Sequence, residues 1–276
     1  MSDLITNIRN FISDEHLDCL LINSTNEFLV EYNSLAENSR YNLTGFSGST
    51  GDAVVTADKV FLFVDGRYHI QADMEVDHNI VTVVKLKAGE KVIDKMVYLL
   101  PDNAVLGVVA KKNSQARVEL LQKYFNIRLL EVDIAEPIFE LEEDEIVDVD
   151  MRYTGASFDE KFHRLTSTLK DGEAFLLTNS EDVSYLFNKR DFSKPFASKI
   201  TAKAIVTKHG AEFFTRKKMS LFEQRLSELN GKVFVDKKSI NAYDYLLLKE
   251  RAVPVDMNPV QQMRAVKTDV ELAPVS

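Results

Sequence analysis

The same local pattern occurs twice in this chain, once over residues 18–29 and again over residues 173–184. Each copy has a short apolar run, then a cluster of Asn, Ser and Thr, and then the start of a helix. A repeated pattern of this kind indicates two copies of one α/β unit rather than one large domain. With 276 residues, each copy is large enough to bury its own core. The sequence therefore predicts an α/β fold made of two similar modules.

The first module alternates strands and helices after a glycine-rich stretch. Val and Phe runs broken by Gly45, Gly48 and Gly51 predict an antiparallel meander with tight turns over residues 41–65. The alternation that follows favours parallel crossovers with helices on the faces of the sheet. The predicted elements are helices at 26–37, 69–75, 90–100 and 114–125, and strands at 18–22, 80–84, 105–109 and 128–132.

The second module follows an acidic stretch, since residues 140–150 hold seven Asp and Glu. This density predicts a solvated connector, with an acidic cation site as the alternative. Ser157 and Glu160 form a capping-box pattern at a helix start. Asp236 follows an apolar run as Asp65 does, which supports the duplication. The predicted elements are strands at 174–178, 200–207, 211–215, 232–236 and 252–256, and helices at 181–188, 219–229 and 241–251.

These elements predict domains at residues 1–150 and 151–258. Residues 259–276 are predicted to begin a linker helix, with Pro259 in its first turn. A helix that is still running meets Pro274, which favours an interrupted chain over a designed terminus.

Composition and charge exclude several classes of protein. A hydrophobic content of 45% with 28% charged residues predicts a packed fold, and a net charge of −9 argues against a nucleic-acid partner. No apolar run approaches the roughly 20 residues that span a bilayer, so no membrane association is expected. The N-terminus predicts an amphipathic helix rather than a signal peptide, and Cys19 has no cysteine with which to pair. We therefore predict a cytoplasmic protein.

Candidate catalytic residues are few. The five histidines form no metal-binding pattern, and Cys19 lies within an apolar strand, so neither a metal site nor covalent catalysis is predicted. The glycine-rich segment lacks the Gly-Lys-Ser/Thr ending of a phosphate loop and leads into a strand. His69 and Asp73 lie four residues apart and are predicted to form a surface polar pair.

Three further polar residues are open to two interpretations. Asp65 is predicted to cap a helix and to pair with Arg67, with a site role for Arg67 as the alternative. Arg40 is either a surface group or a substrate clamp.

Several segments, taken in order, resemble the three-domain cytosolic aminopeptidase P family, also called Xaa-Pro aminopeptidases. The chain departs from the family pattern at Asp191, where the family has Gly, and at Tyr185, where it has Trp. The segments that carry the resemblance are residues 41–49, 64–72, 153–158, 181–190 and 258–272.

The resemblance implies two tandem creatinase N-terminal-like domains, each a mixed β-sheet flanked by helices. In the family, two divalent metals, usually manganese, are held by a C-terminal domain, and the resemblance assigns no metal ligand and no catalytic residue to this chain. The N-terminal domains of the family shape the substrate entrance and support a homodimer. On this basis Arg40, and after it Asp65 and Arg67, are expected at a substrate-entrance or dimer contact.

Two functions remain open at this point. The first is the non-catalytic N-terminal part of an enzyme that removes the residue preceding proline from peptides, in which case this chain alone is inactive. The second is a self-contained module that binds proteins or peptides. A third activity on the same scaffold, such as creatine or dipeptide hydrolysis, fits the second domain less well.

Overall fold

The protein forms two compact units, which divide after residue 140. The computed structural model describes residues 2–141, 143–194 and 196–273. Residues 141–150 belong to the second unit, whereas the sequence analysis placed the boundary at residue 150. In the part of the chain that is described, no helix has the length and apolar character needed to cross a membrane.

The first unit contains one sheet of six strands. Its helices are α1 (Ser2–Asp14), α2 (Ser39–Thr44), α3 (His69–Glu75), α4 (Val92–Leu99) and α5 (Gln115–Leu121). Its strands are β1 (Cys19–Ile22), β2 (Asp52–Thr56), β3 (Val60–Val64), β4 (Val81–Lys85), β5 (Val105–Val109) and β6 (Asn126–Leu130).

The strand order of this sheet is β4-β3-β2-β1-β5-β6. β1 lies antiparallel to β2 and parallel to β5, so that Leu20 faces Val55 on one side and Gly107 on the other. β1 and β3 are buried along their whole length, as expected of strands covered on both faces. The predicted hairpin and parallel crossovers are confirmed by the pairs β2–β3, β3–β4 and β5–β6.

The helix predicted at residues 26–37 is wrong. Turns and irregular backbone fill most of this segment, which ends in a 3-10 turn at Leu35–Glu37 before α2 begins. Polar side chains here bond to nearby backbone and compete with helical hydrogen bonds: Asn26 accepts from the Phe28 amide, and Asn33 donates to the Ser24 carbonyl. The meander predicted from residue 41 also begins later, since α2 occupies its first residues.

The second unit contains a five-stranded sheet and a two-stranded one. Its helices are α6 (Met151–Thr154), α7 (Phe158–Thr166), α8 (Ser180–Phe187), α9 (Met219–Glu228), α10 (Ala242–Leu248), α11 (Pro259–Ala265) and α12 (Asp269–Leu272). Its strands are β7 (Ile146–Asp148), β8 (Ala174–Leu177), β9 (Lys189–Asp191), β10 (Ala202–Thr207), β11 (Gly210–Thr215), β12 (Val233–Val235) and β13 (Ala252–Pro254).

The larger sheet repeats the order of five of the six strands of the first sheet. Its order is β11-β10-β8-β12-β13, and β8 lies antiparallel to β10 and parallel to β12, as β1 does to β2 and β5. The predicted duplication of residues 18–29 and 173–184 therefore corresponds to equivalent strands. The predicted equivalence of Asp65 and Asp236 in the two modules is wrong, however. Asp65 follows β3, whereas Asp236 follows β12, which is the counterpart of β5.

The described residues of the acidic stretch are exposed or half-buried, as a solvated connector predicts, but the stretch is also paired with other parts of the second unit. Within it, β7 pairs antiparallel with β9, where Ile146 faces Asp191. Ion pairs join Asp148 to Lys189 at 2.5 Å and Glu143 to Lys217. Cationic side chains from more distant parts of the unit thus lie against this segment.

The last helical region is divided in two. Val260 and Met263 of α11 are buried in the core of the second unit, so this helix packs there. The chain then turns, and Thr268 starts α12 with a complete capping box to Glu271. The sequence analysis predicted one continuous helix from Pro259 in its first turn and from the family resemblance of residues 258–272, whereas the capping box at Thr268 marks a new start. Pro274, at which that helix was expected to stop, lies outside the described residues.

Candidate functional site

The glycine-rich segment of the first unit is a tight loop between α2 and β2. Gly45 ends α2 with φ 74°, and Gly51 has φ 123°, both in the region that favours glycine. A Cβ atom at Gly48 would lie 2.3 Å from Cζ of Phe46. Because a strand follows the loop, it has no helix N-terminus with which to bind an anion, as the sequence predicted.

Arg40 holds this loop from the inside. Its side chain is completely buried and donates to the carbonyl oxygens of Phe46 at 2.8 Å and Gly48 at 2.5 Å. The guanidinium also lies 4.6 Å from the centre of the Phe46 ring. Burial lowers the pKa of Arg40 to about 10, although Asp52, Tyr68 and Glu75 oppose the shift. With no exposed surface, this guanidinium positions the loop rather than contacting a molecule outside the chain.

Hydroxyl groups of the loop bond to carboxylates and to a tyrosine around it. Glu75 accepts from the Ser47 amide at 2.7 Å and from the Ser47 hydroxyl at 2.8 Å. Burial opposes ionisation of Glu75, but hydrogen bonds from Ser47 and Gln71 outweigh it and lower its pKa. Ser49 donates to Glu31 at 2.8 Å and bonds to the Tyr68 hydroxyl at the same distance.

Asp65 and Arg67 follow β3 and contact the same loop through Thr50. The predicted pair between them is formed, but the predicted helix cap at Asp65 is wrong, because Tyr68 holds the capping position of α3. Arg67 donates to both Asp65 oxygens, from Nε at 3.0 Å and from Nη2 at 2.8 Å, and it also donates to Thr50. These hydrogen bonds lower the pKa of Asp65 and raise that of Arg67. The side chains remain 40% and 62% exposed, so this pair is accessible from the solvent.

The structure thus gathers Arg40, Asp65 and Arg67 around one loop, although their sequence spacing did not show it. Glu31, Tyr68 and Glu75 complete the arrangement and were not singled out from the sequence. Tyr68 could have been found, since it directly follows Arg67 in the run Asp65-Gly-Arg-Tyr68. Glu31 could not, because it lies in the segment wrongly predicted as helix.

Other sequence candidates do not form a second site. The predicted His69–Asp73 pair is not formed, since His69 bonds to the Leu86 carbonyl at 3.1 Å and Asp73 pairs with Lys85. Cys19 is fully buried, and burial raises the pKa of its thiol to about 12. Across residues 2–141, 143–194 and 196–273, no group of three or more His, Cys, Asp and Glu could hold a metal ion.

Comparison with known families accounts for this architecture. Residues 5–140 match a family described as Creatinase/Prolidase N-terminal domain, and residues 136–230 match a second family of the same description. The chain therefore belongs to the creatinase/prolidase N-terminal domain family, with two such domains in tandem.

Several curated relatives share one name. A "Probable Xaa-Pro aminopeptidase P" of Coprinopsis cinerea is 28% identical over 243 residues, which cover 76% of this chain and 36% of the relative. A protein of the same name from Aspergillus clavatus is 24% identical over 319 aligned positions, which cover 99% of this chain and 48% of the relative. The chain thus spans about half the length of such relatives or less.

A solved structure shows the same fold. The X-prolyl aminopeptidase of Caenorhabditis elegans, described as a cytosolic enzyme with a di-nuclear active site, superposes with a TM-score of 0.78 at 22% identity. The superposition covers 93% of this chain and 48% of that enzyme. Together with the family matches, it confirms the predicted fold of two creatinase-like domains, each with a mixed sheet flanked by helices.

Proposed function

We propose that these two domains are the non-catalytic N-terminal part of an Xaa-Pro aminopeptidase, an enzyme that removes the residue preceding proline from peptides. The observation that carries the proposal is the tandem of family matches, together with relatives of that name over nearly the whole chain. The alignment to about half of each relative leaves room for a further domain in those proteins.

The proposal assigns the metal chemistry to a separate catalytic domain. The described residues supply no fitting set of ligands, so no catalytic step is assigned to them. When bound in such a domain, a pair of divalent ions, which we propose to be manganese, would activate the attacking water.

The glycine-rich loop is proposed to contribute to the substrate entrance or to a homodimer contact. Arg40 supports the loop from below, and the exposed Asp65–Arg67 pair presents a carboxylate and a guanidinium at its surface. We propose a proline-containing peptide or a second subunit as the group that meets this pair. The working compartment is proposed to be the cytosol, which agrees with the description of the C. elegans enzyme.

Peptide hydrolysis tests the assignment. An Arg-Pro-Pro peptide with Mn²⁺ is incubated with this chain alone, and then with this chain mixed with the polypeptide encoded directly downstream. Hydrolysis only in the mixture supports the proposal. Hydrolysis by the chain alone overturns it, and no hydrolysis in either case favours the binding module.

The role of the loop is tested in the same mixture. Arg67→Met is expected to raise KM or to weaken dimerisation in sedimentation, while Arg152→Met, an exposed arginine of the second unit, leaves both unchanged. Equal KM values and equal sedimentation for the two variants would show that the loop contributes neither to the substrate entrance nor to a dimer contact.

A further inference from the structure

Asn230 lies in the loop between α9 and β12, and it is the only asparagine of the chain that a glycine follows. It is exposed, and its side chain makes no hydrogen bond to any of the described residues. The Gly231 amide likewise donates to no acceptor in that part of the chain. A side-chain amide and the backbone nitrogen that follows it are therefore both available for reaction with each other.

The other asparagines that precede a small residue are held in place. In each of these the next residue is serine, and each side chain forms at least one hydrogen bond within the chain. An amide fixed in this way does not turn its carbonyl carbon toward the next backbone nitrogen. The residues concerned are Asn23, Asn33, Asn38, Asn113 and Asn179.

We infer that Asn230 is a site of spontaneous deamidation, with the Gly231 nitrogen as the nucleophile. Asparagine is one of the thermolabile residue types, and Gly231 has no Cβ atom to hinder the attack. The Gly231 nitrogen gives up its proton to solvent and attacks Cγ of Asn230. A bond forms between these two atoms, the bond from Cγ to Nδ2 breaks, and Nδ2 leaves as ammonia.

The product of this step is a five-membered succinimide ring, which water then opens. If water cleaves the new bond between Cγ and the Gly231 nitrogen, residue 230 becomes aspartate. If water cleaves the original peptide bond instead, residue 230 becomes isoaspartate and the backbone runs through its side chain. In both cases a water molecule is consumed, ammonia is released and a carboxylate replaces the neutral amide.

The two products differ in their effect on the larger sheet. Directly after Gly231, the Lys232 carbonyl accepts from the Ala174 amide at 3.0 Å, where β12 begins to pair with β8. Gly231 also packs tightly, since a Cβ atom added there would lie 2.1 Å from the Gly172 carbonyl oxygen. Isoaspartate lengthens the backbone by a methylene group directly before these contacts, whereas aspartate leaves its path unchanged. Isoaspartate therefore disturbs the start of β12, and aspartate does not.

The experiment incubates the folded chain in water labelled with heavy oxygen and then maps its peptides by mass spectrometry after digestion in acid. Heavy oxygen should enter residue 230 first, while the asparagines that precede serine stay unlabelled. In urea, where the chain is unfolded, those asparagines should lose this protection. Asn230→Gln should abolish labelling at position 230, because glutamine would have to form a larger ring.

Thermal melting tests the effect on the sheet. Asn230→Asp reproduces the aspartate product alone and should melt as the unchanged chain does. The aged fraction that contains isoaspartate, identified by its fragmentation, should melt at a lower temperature.

A synthetic peptide of residues 226–235 sets the time scale. If the peptide deamidates completely while residue 230 of the folded chain stays unlabelled, or if another asparagine is labelled first, the inference is overturned. Equal melting of the isoaspartate fraction and Asn230→Asp would overturn the assigned effect on β12.

Discussion

The hydroxyl of Thr268 occupies the space in which a side chain at Gly155 would stand. A Cβ atom on Gly155 would lie 2.1 Å from Oγ1 of Thr268. Gly155 ends α6 with φ 66°, and Thr268 is the residue that caps α12. The end of α6 therefore packs against the start of α12. The contact requires glycine at position 155, because a side chain there would have no space and because the backbone is in the left-handed region.

Gly155→Ala should consequently destabilise the second unit. We expect a loss of about 2 kcal/mol or more in the free energy of unfolding, from the left-handed backbone and the contact with Thr268. Gly172→Ala is the matched control, since Gly172 has φ 83° but a Cβ atom added there would have nothing within 4 Å. Chemical denaturation of both variants measures the difference. Equal losses would show that the contact with Thr268 adds nothing.

Arg40→Met should destabilise the first unit far more than Arg67→Met. The first change leaves the carbonyls of Phe46 and Gly48 without their buried donor, at a cost of about 2–4 kcal/mol. The second removes an exposed ion pair, for which about 0–1 kcal/mol is expected. Urea denaturation of the two variants measures the difference, and a similar loss for both would contradict the buried role of Arg40.

Lys161 should make stability depend on pH in the alkaline range. Its buried amine donates to the Tyr185 carbonyl at 2.9 Å and to Asn188 at 2.5 Å, and burial lowers its pKa from 10.5 to about 8. Between these values the unfolded chain binds more protons than the folded one, so stability rises with pH there.

Lys161→Met removes this dependence. Relative to the variant, the unchanged chain should gain on the order of 2–3 kcal/mol in free energy of unfolding from pH 8 to 10.5. Denaturant titrations over this range provide the test. If the free energy of unfolding changes with pH in the same way for the two proteins, the amine of Lys161 is not desolvated.

Arg264→Met should leave Asp182 as a buried carboxylate without its cation. Asp182 is fully buried, and burial raises its pKa against the opposing effect of Arg264. We expect a loss of about 3 kcal/mol at pH 7. Part of this lost stability should return as the pH falls. Asp182 in the folded variant then takes up a proton more readily than it does in the unfolded chain.

Unfolding at pH 7 and pH 5 measures both effects, with Arg152→Met as the exposed control. A loss that is the same at both pH values would contradict the role assigned to Arg264.

Much of the fold could be predicted because it depends on local patterns. Strand β5 begins and ends at the predicted residues, and Ser157 and Glu160 form the expected capping box. The prediction for residues 26–37 failed because the cluster of Asn, Ser and Thr after β1 was interpreted as a helix start, whereas Asn26 and Asn33 bond to the nearby backbone instead.

The candidate site depended on contacts that sequence spacing does not encode. The acceptors of Arg40 are backbone carbonyls, and any residue type supplies a carbonyl. Its burial could therefore not be predicted from the residue itself. The same applies to the acidic stretch, because Lys189 and Lys217, which pair with Asp148 and Glu143, lie in distant parts of the second unit.

Strand β4 has no counterpart among the strands described for the larger sheet of the second unit, where β11 stands at the corresponding edge. A strand at an edge can be gained or lost without disturbing the pairing of the strands inside it. The two units can thus descend from one ancestral gene segment with a single change at that margin. On that descent, divergence would have altered only the rim of the sheet and kept the inner order of strands as inherited.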